Sequence, residues 1–366
     1  MKRTLSLLSA VTLTVVLGGS ALMGNAAASA TRGAGNAFGI RNLVSDQPGV
    51  AATLDPDLVN AWGLAAGPTT PWWVNAADAD VAKIYNARGE IQPLAVDVAG
   101  GPTGMVFNGS SDFVVSDGNG ASGPSLFLFA TESGTIRGWN PAVPMPAPST
   151  QSFVVADRSG VDANYKGLAI ASTADGPILY AADFHNARVD MFDGDFNVIS
   201  DSTTFVDPDL PAGFAPFGIQ ELSGDIFVSY AKQDADAEDE VAGAHLGFVD
   251  RFDTSGALVG RVASEGPLNA PWGLAMAPDG FGKFSGDLLV GNFGNGLIHA
   301  FRPLADGSFE RAGVLRKRNG NPIAIDGLWA LAFGNDDDAG SSHTLFFTAG
   351  PDDEEHGLFG KIRFIG

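Results

Sequence analysis

Asp183 and His185 stand two residues apart in Asp183-Phe-His185-Asn186. A carboxylate at that spacing can orient an imidazole as a base or as a metal ligand. Asn292 and Asn295 form a second polar pair, and Lys166 contributes a lone cation. Trp62, Trp272 and Trp329 occupy equivalent places in three related segments and could stack on a sugar or ring ligand. Each group also has a plainer use. Asp183 and Asn292 can bond the backbone of their own turns, and aromatics that recur in repeats fill the seams between them.

Several familiar chemistries are excluded. Gly118-Asn-Gly-Ala-Ser-Gly123 has dinucleotide spacing, but Pro124 and an apolar run follow where a helix N-terminus would have to receive the pyrophosphate, so the stretch reads as a loop. The chain has no Gly-x-Ser-x-Gly elbow, no His-Glu-x-x-His pair and no cysteine. Three acidic runs, 234–240, 335–338 and 352–355, lack the twelve-residue calcium-loop spacing and read as solvated loops, although the oxygens of 335–338 or 352–355 would suit a divalent cation such as calcium.

The elements that must position these groups repeat. Asn60-Ala-Trp-Gly-Leu-Ala65 returns as Ala270-Pro-Trp-Gly-Leu-Ala275 and, with one change, as Leu328-Trp-Ala-Leu-Ala332. Weaker copies stand at Thr103-Gly-Met-Val106, Lys166-Gly-Leu-Ala169 and Phe217-Gly-Ile219. Short β-branched or aromatic runs bounded by Gly, Pro, Asn or Asp follow each copy, which is strand chemistry. A fourth strand is predicted at 91–98, 151–156, 202–206, 258–263 and 309–315, but none follows the sixth copy. Phe38-Gly-Ile-Arg-Asn-Leu-Val44 is a spare strand near the start of the chain. The pattern predicts an all-β fold: a six-bladed β-propeller of four-stranded blades over residues 31–366, its last blade completed by the N-terminal strand. The inner-strand glycines are expected where neighbouring backbones crowd the channel. The loops after the second strands, which carry Asp183, His185, Asn186, Asn292 and Asn295, then share one face with Lys166 and the three tryptophans.

Lys2 and Arg3, an apolar run over residues 5–17 and Ala28-Ser-Ala30 form a tripartite signal peptide, residues 1–30. An exported protein without cysteine must rely on burial alone. The net charge of −21 argues against nucleic acid and anionic lipid as partners, and no apolar membrane span follows residue 30.

Asn60-Ala-Trp-Gly-Leu-Ala65, Phe129-Ala-Thr-Glu-Ser-Gly-Thr-Ile-Arg-Gly-Trp139, Tyr165-Lys-Gly-Leu-Ala169 and Ser285-Gly-Asp-Leu-Leu-Val-Gly-Asn-Phe-Gly294 together resemble an uncharacterised family of exported bacterial proteins, some with a C-terminal sorting tail. More distantly the units are similar to NHL-repeat, gluconolactonase-type and TolB-like propellers. Gluconolactonase-type enzymes hold a divalent cation with Glu, Asn and Asp side chains in the channel. Here the corresponding positions are Trp62, Thr103, Lys166, Phe217, Trp272 and Trp329, none of them a carboxylate. Glu265-Gly-Pro267 resembles the glutamate motif of those enzymes but lies in a connector and reads as a turn. The expectation is a secreted, monomeric binding or scaffold propeller that takes a small molecule, glycan or extracellular protein on its loop face. The alternative is a metal-assisted lactonase or lyase working in the channel mouth.

Overall fold

A computed structural model describes residues 36–366. The expected signal peptide, residues 1–30, lies outside the described residues. Six antiparallel blades surround an axis. Blade 1 runs Ala61–Ala65, Trp72–Ala76, Val81–Tyr85 and Ile91–Asp97 from the axis outward. Blade 2 comprises Pro102–Phe107, Phe127–Thr131, Thr135–Trp139 and Phe153–Asp157. Blade 4 comprises Phe214–Leu222, Asp225–Lys232, Phe248–Phe252 and Leu258–Ser264. Blade 5 comprises Pro271–Met276, Leu288–Asn292, Ile298–Pro303 and Phe309–Val314. Blade 6 holds Leu328–Phe333, Thr344–Ala349 and Leu358–Phe364, and its fourth strand is Phe38–Ser45, paired antiparallel from Phe38 opposite Phe364 to Ser45 opposite Leu358. The N-terminal closure inferred from the missing strand is therefore present.

Blade 3 departs from the expectation. It has Tyr165–Thr173, Gly176–Asp183 and Arg188–Phe192, and the strand predicted at 202–206 does not form. Asp201 captures that stretch in a turn, its carboxylate accepting from both the backbone and the hydroxyl of Thr203. Phe205 enters the seam with blade 4 instead, tilted against Phe252 at 4.9 Å and edge-on to Tyr180 at 5.6 Å. Val114–Ser116 and Ser122–Pro124 form a small ribbon beside blade 2, so residues 118–121 of the glycine-rich stretch are its tip, while Ser122 and Gly123, expected in the loop, pair with Ser116 and Val115.

Burial falls from the inside outward. Second strands such as Phe127–Thr131 and Thr344–Ala349 are buried throughout because a blade covers each face, whereas the outer strand Ile91–Asp97 alternates. Apolar clusters fill the six seams between blades, for example Trp73, Met105, Phe127 and Trp139 between blades 1 and 2. The inner-strand glycine serves these seams: a Cβ on Gly63, Gly167, Gly218 or Gly273 would strike the carbonyl oxygen of Thr103, Phe217, Trp272 or Trp329 on the next blade. Each inner strand bulges there, and polar side chains take over the broken ladder. Ser229 Oγ accepts from Gly218 N, and Thr348 Oγ1 accepts from Ala330 N while donating to Trp62 O of blade 1. No helix among the described residues is long and apolar enough to cross a membrane.

Candidate functional site

The two ends of the channel differ. At the end where the inner strands begin, Trp62, Phe217, Trp272 and Trp329 point inward from blades 1, 4, 5 and 6. Trp329 lies at the centre, stacked on Trp62 at 3.7 Å and on Phe293 at 4.1 Å, with Trp272 edge-on at 6.0 Å and Phe217 at 5.6 Å. Trp62 and Trp329 are fully buried. The tryptophans therefore meet at the axis as a plug and not as an open collar.

Charged groups from five blades sit over the plug. Lys166, itself 1% exposed, donates to Glu132 at 2.5 Å and Asp239 at 3.2 Å, and its ammonium stands 5.3 Å from the Trp62 ring. The Trp272 indole donates to Lys166 O. Asn60 enters its strand with φ 47°, a left-handed conformation asparagine tolerates. That turns its amide inward to accept from Trp329 Nε1 at 2.9 Å and donate to Glu354 at 2.6 Å, with Asp78 at 3.4 Å. Burial pushes the Lys166 ammonium down, but Glu132, then Glu240 and Asp239, outweigh it and hold it above its ordinary range. Burial pushes Glu240 up to about 8 against the pull of Lys166. Burial likewise raises Glu354 to about 7 against the Asn60 hydrogen bond and Lys166. The acidic runs read as solvated loops thus send Glu240 and Glu354 into this mouth, half-buried. Asn335 instead ties its own turn to the blade 1 loop, donating to Gly67 O and Thr70 O while its oxygen accepts from Asp337 N and Ala339 N. Among the described residues no three acidic or histidine side chains are grouped to hold a metal ion.

Of the expected site residues, Lys166, Trp62, Trp272 and Trp329 come together. The others serve their own loops. Buried Asp183 accepts from the Asn164 and Asn186 backbones and the Asn186 amide, and pairs with Arg188 at 3.2 Å. Burial raises its carboxyl, opposed by Asn186. Asn186 also donates to Val161 O, and the His185 carbonyl accepts from Gln233. Asn292 is buried and donates to Pro267 O at 2.8 Å and Asn295 Oδ1 at 3.1 Å. Glu265 lies in a turn, its carbonyl accepting from Leu268 N.

Sequence reasoning did not nominate the opposite end, where the inner strands finish. A cavity of about 610 Å³ opens there, lined by every blade: Leu64 and Trp72 from blade 1, Met105 and Phe107 from blade 2, Ile170 from blade 3, Gln220 and Glu221 from blade 4, Leu274 and Met276 from blade 5, Leu331 and Phe333 from blade 6. A narrow throat continues inward between Leu64, Met105, Leu168, Ile219, Leu274 and Leu331, with Gln220 and Trp272 in its wall. Volume and lining are those of a small-molecule site. The cup arises from the residue that follows the shared glycine, Leu, Met or Ile in each copy, and from the larger side chains near the strand ends.

No protein-family model matches the chain. Among solved structures, virginiamycin B lyase from Staphylococcus aureus superposes with a TM-score of 0.50 at 14% identity, over 90% of this chain and all of that one. A protein of unknown function from Bacteroides thetaiotaomicron gives 0.53 at 12% identity, over 90% and 73%. At these identities the likeness is one of fold. The sequence relatives are viral, where the motifs had suggested an exported bacterial family. Uncharacterised protein R648 of Acanthamoeba polyphaga mimivirus is 32% identical over 336 residues, 88% of this chain and 79% of that protein. Uncharacterised protein L690 of the same virus is 31% identical over 339 residues, 88% and 85% of the two. With that identity over almost the whole fold, the chain belongs to the same family as these two mimivirus proteins.

Proposed function

We propose that the protein is a binding propeller that holds a small, largely apolar molecule in the open end of its channel. The observation that carries this reading is the cavity of about 610 Å³ to which all six blades contribute. A pocket assembled from six repeats is preorganised, because no lining strand can move without disturbing both of its seams. N-phenyl-1-naphthylamine, a neutral dye that brightens in apolar surroundings, tests it by fluorescence titration. Saturable binding that is lost in Ala66→Trp, a substitution at the half-buried rim, supports the cup. No saturable binding to the wild-type protein, or equal binding to the rim variant, rejects it. The tripartite pattern of residues 1–30 supports export, and the N-terminal sequence of protein recovered outside the cell checks that part.

A second reading places acid–base chemistry at the closed end. It is favoured by two carboxyls near neutrality, Glu240 and Glu354, beside the buried ammonium of Lys166. Turnover of any substrate that survives Ala66→Trp but is lost in Glu354→Gln would support it.

A further inference from the structure

We infer that the molecule held in the open cup is an amphipathic cation: an apolar body carrying a protonated amine that meets Glu221. This rests on the cup being a binding site and adds its selectivity. Among the described residues Glu221 is the one charged side chain in the lining. It accepts from Gly224 N at 2.7 Å through one carboxylate oxygen, and no ion pair among the described residues joins it to a lysine or arginine. Its second oxygen remains to receive a donor.

The neighbouring polar groups sharpen the assignment. Asn335 is spent, since its amide donates to Gly67 O and Thr70 O while its oxygen accepts from Asp337 N and Ala339 N. The Gln220 amide makes no hydrogen bond within the described protein and lines both cup and throat. It can accept from or donate to a polar group deeper along the same ligand. The lining also holds Phe107 and Phe333, aromatic rings of the kind that attract cations, and Met105 and Met276, which adapt to varied apolar shapes. The chain carries a net charge of −21, so its field concentrates cations and repels anions at every opening.

The test compares two probes on the full chain. N-phenyl-1-naphthylamine reports the cup without charge, and dansylcadaverine presents a fluorescent apolar body with a primary amine. Dansylcadaverine should bind more tightly, and its Kd should rise with added salt while that of the neutral probe stays constant. Glu221→Gln retains the carbonyl that accepts from Gly224 N and removes only the charge. It should weaken dansylcadaverine about fivefold and leave the neutral probe within a factor of two. Equal affinity of dansylcadaverine for the wild-type and Glu221→Gln proteins overturns the inference, while binding of the neutral probe keeps the cup. If neither probe binds the wild-type protein, the cup and the inference fall together.

Discussion

The closed and open ends of the channel are made by the same six inner strands, yet they are built from opposite materials. At the closed end the residue before the glycine, or before Ala330 in blade 6, is aromatic in four blades and converges: Trp62, Phe217, Trp272 and Trp329 fill the axis, and Lys166 locks a lid of carboxylates above them. At the open end the residue after the glycine is aliphatic and stops short of the axis, so a cavity remains. Two positions along a strand, one on either side of the glycine, therefore separate a structural plug from a ligand seat. The functional residues of a propeller repeat cannot be assigned from the repeat alone, because neighbouring positions of one motif do different work.

The largest expected difference between the two ends is in stability. Trp329→Ala removes the side chain on which four other aromatics rest and should cost about 3–5 kcal/mol, read as a lower urea midpoint. Met276→Ala, half-buried in the cup, should cost about 1 kcal/mol or less, as substitutions away from a packed core usually do. Equal losses would mean that the plug is not the better packed end. Between the two ends, Gly218→Val drives a side chain into the Trp272 carbonyl of the next blade and should destabilise by about 1–3 kcal/mol. An unchanged midpoint would show that the blades can part there.

A smaller effect is set by pH. Glu354 and Glu240 have folded-state values of about 7 and about 8, above the ordinary 4.5 of a glutamate, so between those limits the folded protein holds more protons than the unfolded chain. Stability from this source is full below about pH 4.5 and is lost as pH rises through 7 and 8. Glu354→Gln should flatten the profile and raise stability at pH 8 by about 1 kcal/mol, allowing for solvent screening of a half-buried group. Thermal midpoints of both proteins at pH 5 and 8 decide the matter, and a parallel decline rules Glu354 out as a source. Smallest of all, His185→Ala should stay within about 0.5 kcal/mol, because its ring is half-buried at the edge of its loop. A larger shift in the midpoint would give that imidazole a structural part in the closed end.

The architecture was legible because the physical demand repeats. Neighbouring inner strands approach too closely for a Cβ, which writes glycine into five blades at equivalent places and alanine at Ala330 in the sixth. Double-sided burial writes continuous apolar second strands. The fourth strand of blade 3 was misread because Thr203, Thr204 and Phe205 have strand propensity, and only the Asx turn at Asp201 reveals that the chain leaves the sheet. Lys166 and the tryptophans could be found by aligning the repeats. Glu240 and Glu354 could not, since nothing local separates a carboxylate that bends into the mouth from its neighbours Asp236 and Asp353, which stay in solvent. The cup stayed hidden for a related reason. Leu64, Leu274 and Leu331 have the chemistry of core residues, and only three-dimensional closure shows that they line a cavity.

The strand that completes blade 6 also sets an order of events in the life of the chain. Phe38 pairs with Phe364, so the ring cannot shut until almost every residue has been synthesised. Hairpins within blades 1 to 5 can form as they emerge, but the first strand must wait, its hydrogen-bonding edge open, for a partner made last. Loop-closure entropy grows only with the logarithm of loop length, so joining ends this far apart costs roughly 2 kcal/mol more than closing a hairpin of about twenty residues. The penalty of such a long-range contact falls chiefly on time, because non-local pairing slows folding more than it weakens the fold. Until that last pairing, blades 1 and 6 each present an apolar face with no neighbour, so a chaperone would meet this protein as an open arc.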